Sequence, residues 1–138
     1  MNRSGWPVRC LADLHQLDST ALLIVFDDVD LPFGRLRLRA RGGPGGHRGM
    51  ESIVEAMRSE EIPRLRLGIA PVDPEEPPIA DLARYVLEPF AADERSPAEE
   101  LVGRAAEAAG LWLEHGVETA MNRINAAGSP PTGAAPAG

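Results

Sequence analysis

Two segments of this chain alternate arginine with an aliphatic residue. Residues 35–41 read Arg-Leu-Arg-Leu-Arg-Ala-Arg, and residues 63–69 read Pro-Arg-Leu-Arg-Leu-Gly-Ile. A period of two is the period of a strand, whose successive side chains face opposite ways. The alternation predicts two half-buried strands. Leu36, Leu38 and Ala40 face inward in the first, and Leu65, Leu67 and Ile69 in the second, with arginines outward, Arg64 and Arg66 among them.

The segments around them complete an α/β pattern. Residues 21–26 (ALLIVF) form a short continuous apolar run, which suits a strand buried on both faces and ending at Asp27-Asp28-Val29-Asp30. Between the arginine strands lies Gly42-Gly43-Pro44-Gly45-Gly46-His47-Arg48-Gly49, then a short helix with Met50, Ile53, Val54 and Met57 on one face. Residues 9–16 read as a short helix with Leu11 and Leu14 apolar, and residues 79–87 as another that buries Ile79, Leu82 and Val86. The Pro-rich, acidic stretch 71–78 reads as an exposed loop. Ser96-Pro97-Ala98-Glu99 has the form of a capping box with proline at the first helical position. The helix it opens is expected to run unbroken to residues 122–125, with Leu101, Ala105, Ala109, Trp112, Gly116, Ala120 and Ile124 on its apolar face. Glu100, Arg104, Glu107, Glu114 and Glu118 form its polar face. Residues 126–138 lack charge and large apolar groups, which predicts a disordered tail. The expected architecture is a single α/β domain over residues 1–125, a mixed open sheet flanked by helices.

Composition narrows the setting. At 138 residues the chain is one domain by length. No apolar run approaches the ~18 residues of a membrane-spanning helix, and residues 1–7 hold no signal-peptide core. Cys10, the one cysteine, has no internal disulfide partner, which points to a reducing, cytoplasmic setting. The net charge is −7, yet residues 35–48 carry five arginines and no acid. A local basic patch on an acidic protein is compatible with nucleic-acid binding, and arginine is the better bidentate phosphate ligand.

Two constellations are candidates for chemistry. Four glycines in five positions before a helix let backbone N–H groups approach an anion closely, although the loop is neither a dinucleotide-binding nor a Walker loop. Its plainer reading is a tight turn, with His47 a structural hydrogen-bonder. The acids at the strand end can orient a histidine base, hold a magnesium ion or simply accept turn N–H bonds. Spacing alone does not choose among these.

Taken in order, several motifs resemble the bacterial-type peptidyl-tRNA hydrolases. They are Met1-Asn2-Arg3-Ser4-Gly5, Phe26 to Gly34 (FDDVDLPFG), Gly42 to Met50 (GGPGGHRGM), Pro63 to Ile69, Tyr85-Val86-Leu87, and Ala120-Met121-Asn122-Arg123. The similarity runs from Met1 to about Asn125. It implies a hydrolase that cleaves the ester between a peptide and the ribose of tRNA, with no metal or organic cofactor. Its partner is the acceptor stem and CCA end of peptidyl-tRNA, and the expected state is a monomer. The resemblance gives Asp27 the role of holding and stabilising a histidine base. It places Asn2 in the substrate cleft, sets the His47 loop near the acceptor end, and puts Arg37, Arg39 and Arg66 on tRNA phosphate. Two departures stand out. The family's base histidine lies upstream of the Met-Asn motif at which this chain starts, and His15, His47 and His115 do not match it. The chain is therefore expected to be a truncated or late-start form, lacking about the first third of the family's length and part of its sheet. The alternative is a non-catalytic RNA-binding derivative. The second departure is Arg48, which stands where the family has asparagine and brings only donors and a charge to the substrate-binding loop.

Overall fold

The structure, a computed structural model, describes residues 3–71, 75 and 97–127. Among these it is a mixed α/β fold. The elements are α1 (Gly5–Leu14), a short 3₁₀ turn (Ser19–Ala21), β1 (Ile24–Pro32), β2 (Leu36–Arg39), α2 (Arg48–Met57), β3 (Arg64–Ala70), α3 (Pro97–His115) and α4 (Val117–Ala127). The helix expected over 79–87, the Tyr85-Val86-Leu87 motif, Ser96, Asn2 and tail residues 128–138 lie outside the described residues, as does most of the 71–78 loop.

The strands form one sheet in the order β1-β3-β2. The Ile24 N–H donates to the Pro63 carbonyl and the Phe33 N–H to that of Ala70, so β1 and β3 run parallel. The Gly34 N–H donates to Gly68 O, the Gly68 N–H to Arg35 O and the Gly42 N–H to Glu60 O, so β2 runs back along β3. The sheet is mixed, as the sequence predicts. Gly68 explains a glycine inside a strand: a Cβ there would collide with the Pro32 carbonyl where the turn after β1 crosses β3.

Several expectations are corrected. The strand placed at 21–26 lies at 24–32; among the described residues it is an outer strand of the sheet, with half-buried and exposed positions rather than burial on both faces. The acids Asp27, Asp28 and Asp30 sit inside it, not beyond its end. The strand buried on both faces is β3, because it is the central one. Its Arg64 is therefore buried, not outward. β2 is shorter than expected, at four residues, with Leu36 and Leu38 buried as read.

The chain divides into two compact units, Met1–Ile24 with Arg39–Arg64, and Val25–Leu38 with Leu65–Gly138. In the first, α1 packs on α2. α1 begins four residues earlier than expected, because Pro7 falls in its first turn, where its missing N–H costs nothing. Its buried face is Gly5 and Ala12, whereas Leu11 and Leu14 are exposed. Small residues win there because the helices approach closely: a Cβ on Gly5 would collide with the Ser52 carbonyl. The Gly5 N–H donates to Ser52 Oγ at 2.9 Å, and the Arg9 guanidinium to Ala56 O at 2.9 Å. Met50 and Ile53 of α2 are buried, as its periodicity predicts.

In the second unit α3 and α4 pack on each other. They replace the single long helix of the sequence reading. Gly116 has φ of +84°, a left-handed conformation that ends α3, and α4 then continues to Ala127, two residues into the expected tail. Leu101, Ala105, Ala120 and Ile124 are buried on the expected face.

Candidate functional site

In the second unit, strand alternation sends Asp27 and Asp28 to opposite faces of β1. Asp28 is committed: its Oδ2 accepts from Arg66 Nε at 2.6 Å, and its Oδ1 accepts from the Asp30 N–H at 2.8 Å. The two side chains of this ion pair are largely shielded, 24% exposed for Arg66 and 13% for Asp28. Arg66 is thus half-buried and paired, where the sequence reading had it outward. Asp27 is also half-buried, and among the described residues its carboxylate has no hydrogen bond or ion pair. Of the two acids, Asp27 is the one whose oxygens no described residue engages.

Arg37 is half-buried on β2 and Arg39 is exposed at the end of that strand. A residue the sequence reading missed holds this strand. The Asn125 side chain accepts from the Leu38 N–H at 2.9 Å and donates to the Leu38 carbonyl at 3.0 Å. One amide thereby replaces one step of a ladder on β2, between the two arginines. No periodicity signal marks such an asparagine.

In the first unit the glycine-rich loop closes as a turn, with the His47 N–H donating to the Pro44 carbonyl at 3.0 Å. Gly45 and Gly46 both have positive φ, +59° and +82°, as the turn type requires. The root of the loop is held by Arg64, whose guanidinium donates to the carbonyls of Gly43, Glu60 and Ile62. His47 caps α2: its Nδ1 accepts from the Met50 N–H at 3.0 Å. With Nδ1 accepting, the ring carries an N–H on Nε2. Arg48 opens α2 and is exposed. His15 is exposed after α1, and His115 ends α3 beside Glu114, its Nε2 3.5 Å away. The described residues contain no group of three or more His, Cys, Asp or Glu that could hold a metal ion, and no helix long and apolar enough to cross a membrane.

These features define an α/β protein with an arginine-bearing strand, a glycine loop leading into a histidine-capped helix and, among the described residues, an unpaired carboxylate on an outer strand. The chain belongs to the peptidyl-tRNA hydrolase family: the family model of that description matches residues 1–132. Peptidyl-tRNA hydrolase of Roseiflexus castenholzii is 49% identical over 128 residues, covering 91% of this chain and 58% of the relative. That of a Synechococcus strain is 45% identical over 125 residues, covering 91% and 54%. The crystal structure of peptidyl-tRNA hydrolase from Acinetobacter baumannii superposes with a TM-score of 0.66 at 33% identity, over 91% of this chain and 61% of that one. A peptidyl-tRNA hydrolase crystallised with N-propanol gives a TM-score of 0.68 at 32% identity, over 94% and 63%. The chain thus spans little more than half the length of these two curated relatives.

Proposed function

We propose that this chain carries the tRNA-binding surface and the orienting carboxylate of a peptidyl-tRNA hydrolase. It acts in the cytoplasm, as a monomer, on the acceptor stem and CCA end. The observation that supports this best is the Asp27 carboxylate on β1, unpartnered among the described residues, beside an Asp28 engaged by Arg66 and the Asp30 N–H. A carboxylate with free oxygens can accept an imidazole N–H, fix the ring's tautomer and stabilise the imidazolium that forms when the ring takes a proton from water. The activated water adds to the ester carbonyl, and the imidazolium returns its proton to the departing ribose oxygen. The resemblance places the family's base histidine before the Met-Asn motif, a position that His15, His47 and His115 do not match, and His47 Nδ1 is taken up in capping α2. Asn2 and His47 Nε2–H would orient the acceptor end. Arg37 and Arg39 would take phosphate, and Arg66 would do so more weakly because Asp28 already neutralises it.

The test uses two proteins: the chain alone, and the chain extended at its N-terminus by the histidine-bearing segment of the Roseiflexus relative. Both should bind tRNA, and the extended form alone should hydrolyse N-acetyl-aminoacyl-tRNA. Binding by both with turnover by neither would overturn the enzymatic reading in favour of a non-catalytic tRNA-binding protein. Full turnover by the chain alone would make His47 the base.

The double substitution Arg37→Ala with Arg39→Ala should weaken tRNA binding. It should also reduce the slope of log K against log salt by roughly 1–2, because each lost phosphate contact releases about one counterion fewer. A slope unchanged within error would leave these arginines as solvated surface.

Arg48→Asn in the extended form should lower tRNA affinity and its salt sensitivity while leaving the single-turnover rate unchanged. A guanidinium at the start of α2 supplies charge to phosphate, not protons to the reaction. A rise in the single-turnover rate would show instead that Arg48 impairs catalysis.

A further inference from the structure

A cavity of about 540 Å³ opens beside the start of α1, lined by Arg3, Trp6, Pro7 and Ser52. None of these residues has a part in the reaction above. The Trp6 indole is 74% exposed, and Arg3 beside it is exposed as well. A large aromatic face left in water next to a guanidinium is how proteins hold single-stranded nucleic acid: the ring stacks on a base, and the cation takes the adjoining phosphate. Among the described residues no carboxylate lines the cavity to repel that phosphate. The platform is also firmly seated. The Gly5 N–H donates to Ser52 Oγ, the close approach at Gly5 leaves no room for α1 to slide over α2, and Pro7 stiffens the turn that bears the indole. A ligand would meet a surface already ordered, which lowers the entropic cost of binding.

We propose that Trp6 and Arg3 form a stacking subsite for one unpaired nucleotide of RNA, the indole holding the base and the guanidinium its phosphate. This deepens the tRNA reading, and it can fail independently of it.

The experiment uses the full chain carrying Trp112→Phe, so that Trp6 is the only indole and reports directly. Trp112 is half-buried on α3, and a thermal melt confirms that the variant folds. Titration with the trinucleotide CCA should quench Trp6 emission to saturation. Adding Arg3→Ala should weaken that binding at least five-fold, and free cytidine, which has no phosphate, should quench far less. Equilibrium dialysis of labelled CCA against Trp6→Ala in the otherwise unaltered chain should show a comparable loss. Three results would overturn the subsite: no quenching, quenching indifferent to Arg3→Ala, or emission that changes with protein concentration and is restored by Leu14→Ser. The last would mark the outer face of α1, with its exposed Leu11 and Leu14, as a protein contact. If whole tRNA still binds through Arg37 and Arg39 while CCA does not quench, the subsite alone falls. If neither RNA binds, the tRNA reading falls with it.

Discussion

Asp27→Asn in the histidine-bearing form should reduce single-turnover hydrolysis by at least about a hundredfold, the scale of a misoriented general base, while tRNA affinity stays within about twofold. The amide keeps the shape of the carboxylate but loses the charge that stabilises an imidazolium, and it can present an N–H where an acceptor is needed. Asp28→Asn is the informative partner. It removes the negative charge facing Arg66 and leaves one acceptor oxygen where Arg66 Nε and the Asp30 N–H use two, so a shielded guanidinium loses its ion pair. Its main effect should be a loss of stability of roughly 1–3 kcal/mol, read by urea denaturation, with a smaller loss of rate. Equal losses of rate in the two variants would mean that β1 supplies no specific partner to the base. The comparison is sharp because the two acids are neighbours in sequence and strand geometry alone sends them to opposite faces.

Part of this fold is legible from the residues because it rests on local rules. Leu36 and Leu38 alternate with arginines and are buried. Met50 and Ile53 recur at helical spacing and are buried too. The rest depends on which neighbours each element has. An apolar run such as 21–26 carries no information on whether a strand is central or at an edge. Among the described residues β1 lies at an edge of the sheet, and an edge strand tolerates Asp27, Asp28 and Asp30 within its length. The break at Gly116 is hidden for a different reason. A glycine on the apolar stripe of a helix reads equally as a small core residue or as a left-handed stop, and its φ of +84° makes it the stop.

The candidate site divides in the same way. The glycine loop and the Asp27–Asp30 cluster stand out as motifs. The division of labour within the cluster does not, since it depends on Arg66 arriving from β3. His47 illustrates the limit of a motif. Its place before α2 makes it an N-cap, a role more often taken by Ser, Thr, Asp or Asn, so the residue type alone does not announce it. Asn125 lies outside every motif and acts through two hydrogen bonds to a single residue 87 positions away.

Arg64 should prove the most consequential side chain for stability. Alternation makes it look like Arg66, but it is 3% exposed, and its guanidinium donates to three carbonyls, those of Ile62, Glu60 and Gly43. Replacing a buried charge by an apolar group of similar size is often neutral when its partner is removed as well. Here the partners are backbone and cannot be removed, so Arg64→Met takes this donor from the buried Ile62 carbonyl and the part-buried Gly43 carbonyl, while Glu60 O keeps the Gly42 N–H. The unmet acceptors outweigh the relief of desolvating a cation, and the expected loss is roughly 3 kcal/mol. Arg64→Lys should lose about half as much, because one ammonium cannot span acceptors that a planar fork reaches together. The two losses are read as urea midpoints at constant slope. A local readout separates this from general loosening: hydrogen exchange at the Gly43–Gly46 amides should speed up more than at α4, since Gly43 O anchors the root of the loop. An Arg64→Met variant as stable as the parent, with unchanged exchange in the loop, would show that the carbonyls find other donors and that the loop keeps its shape without this arginine.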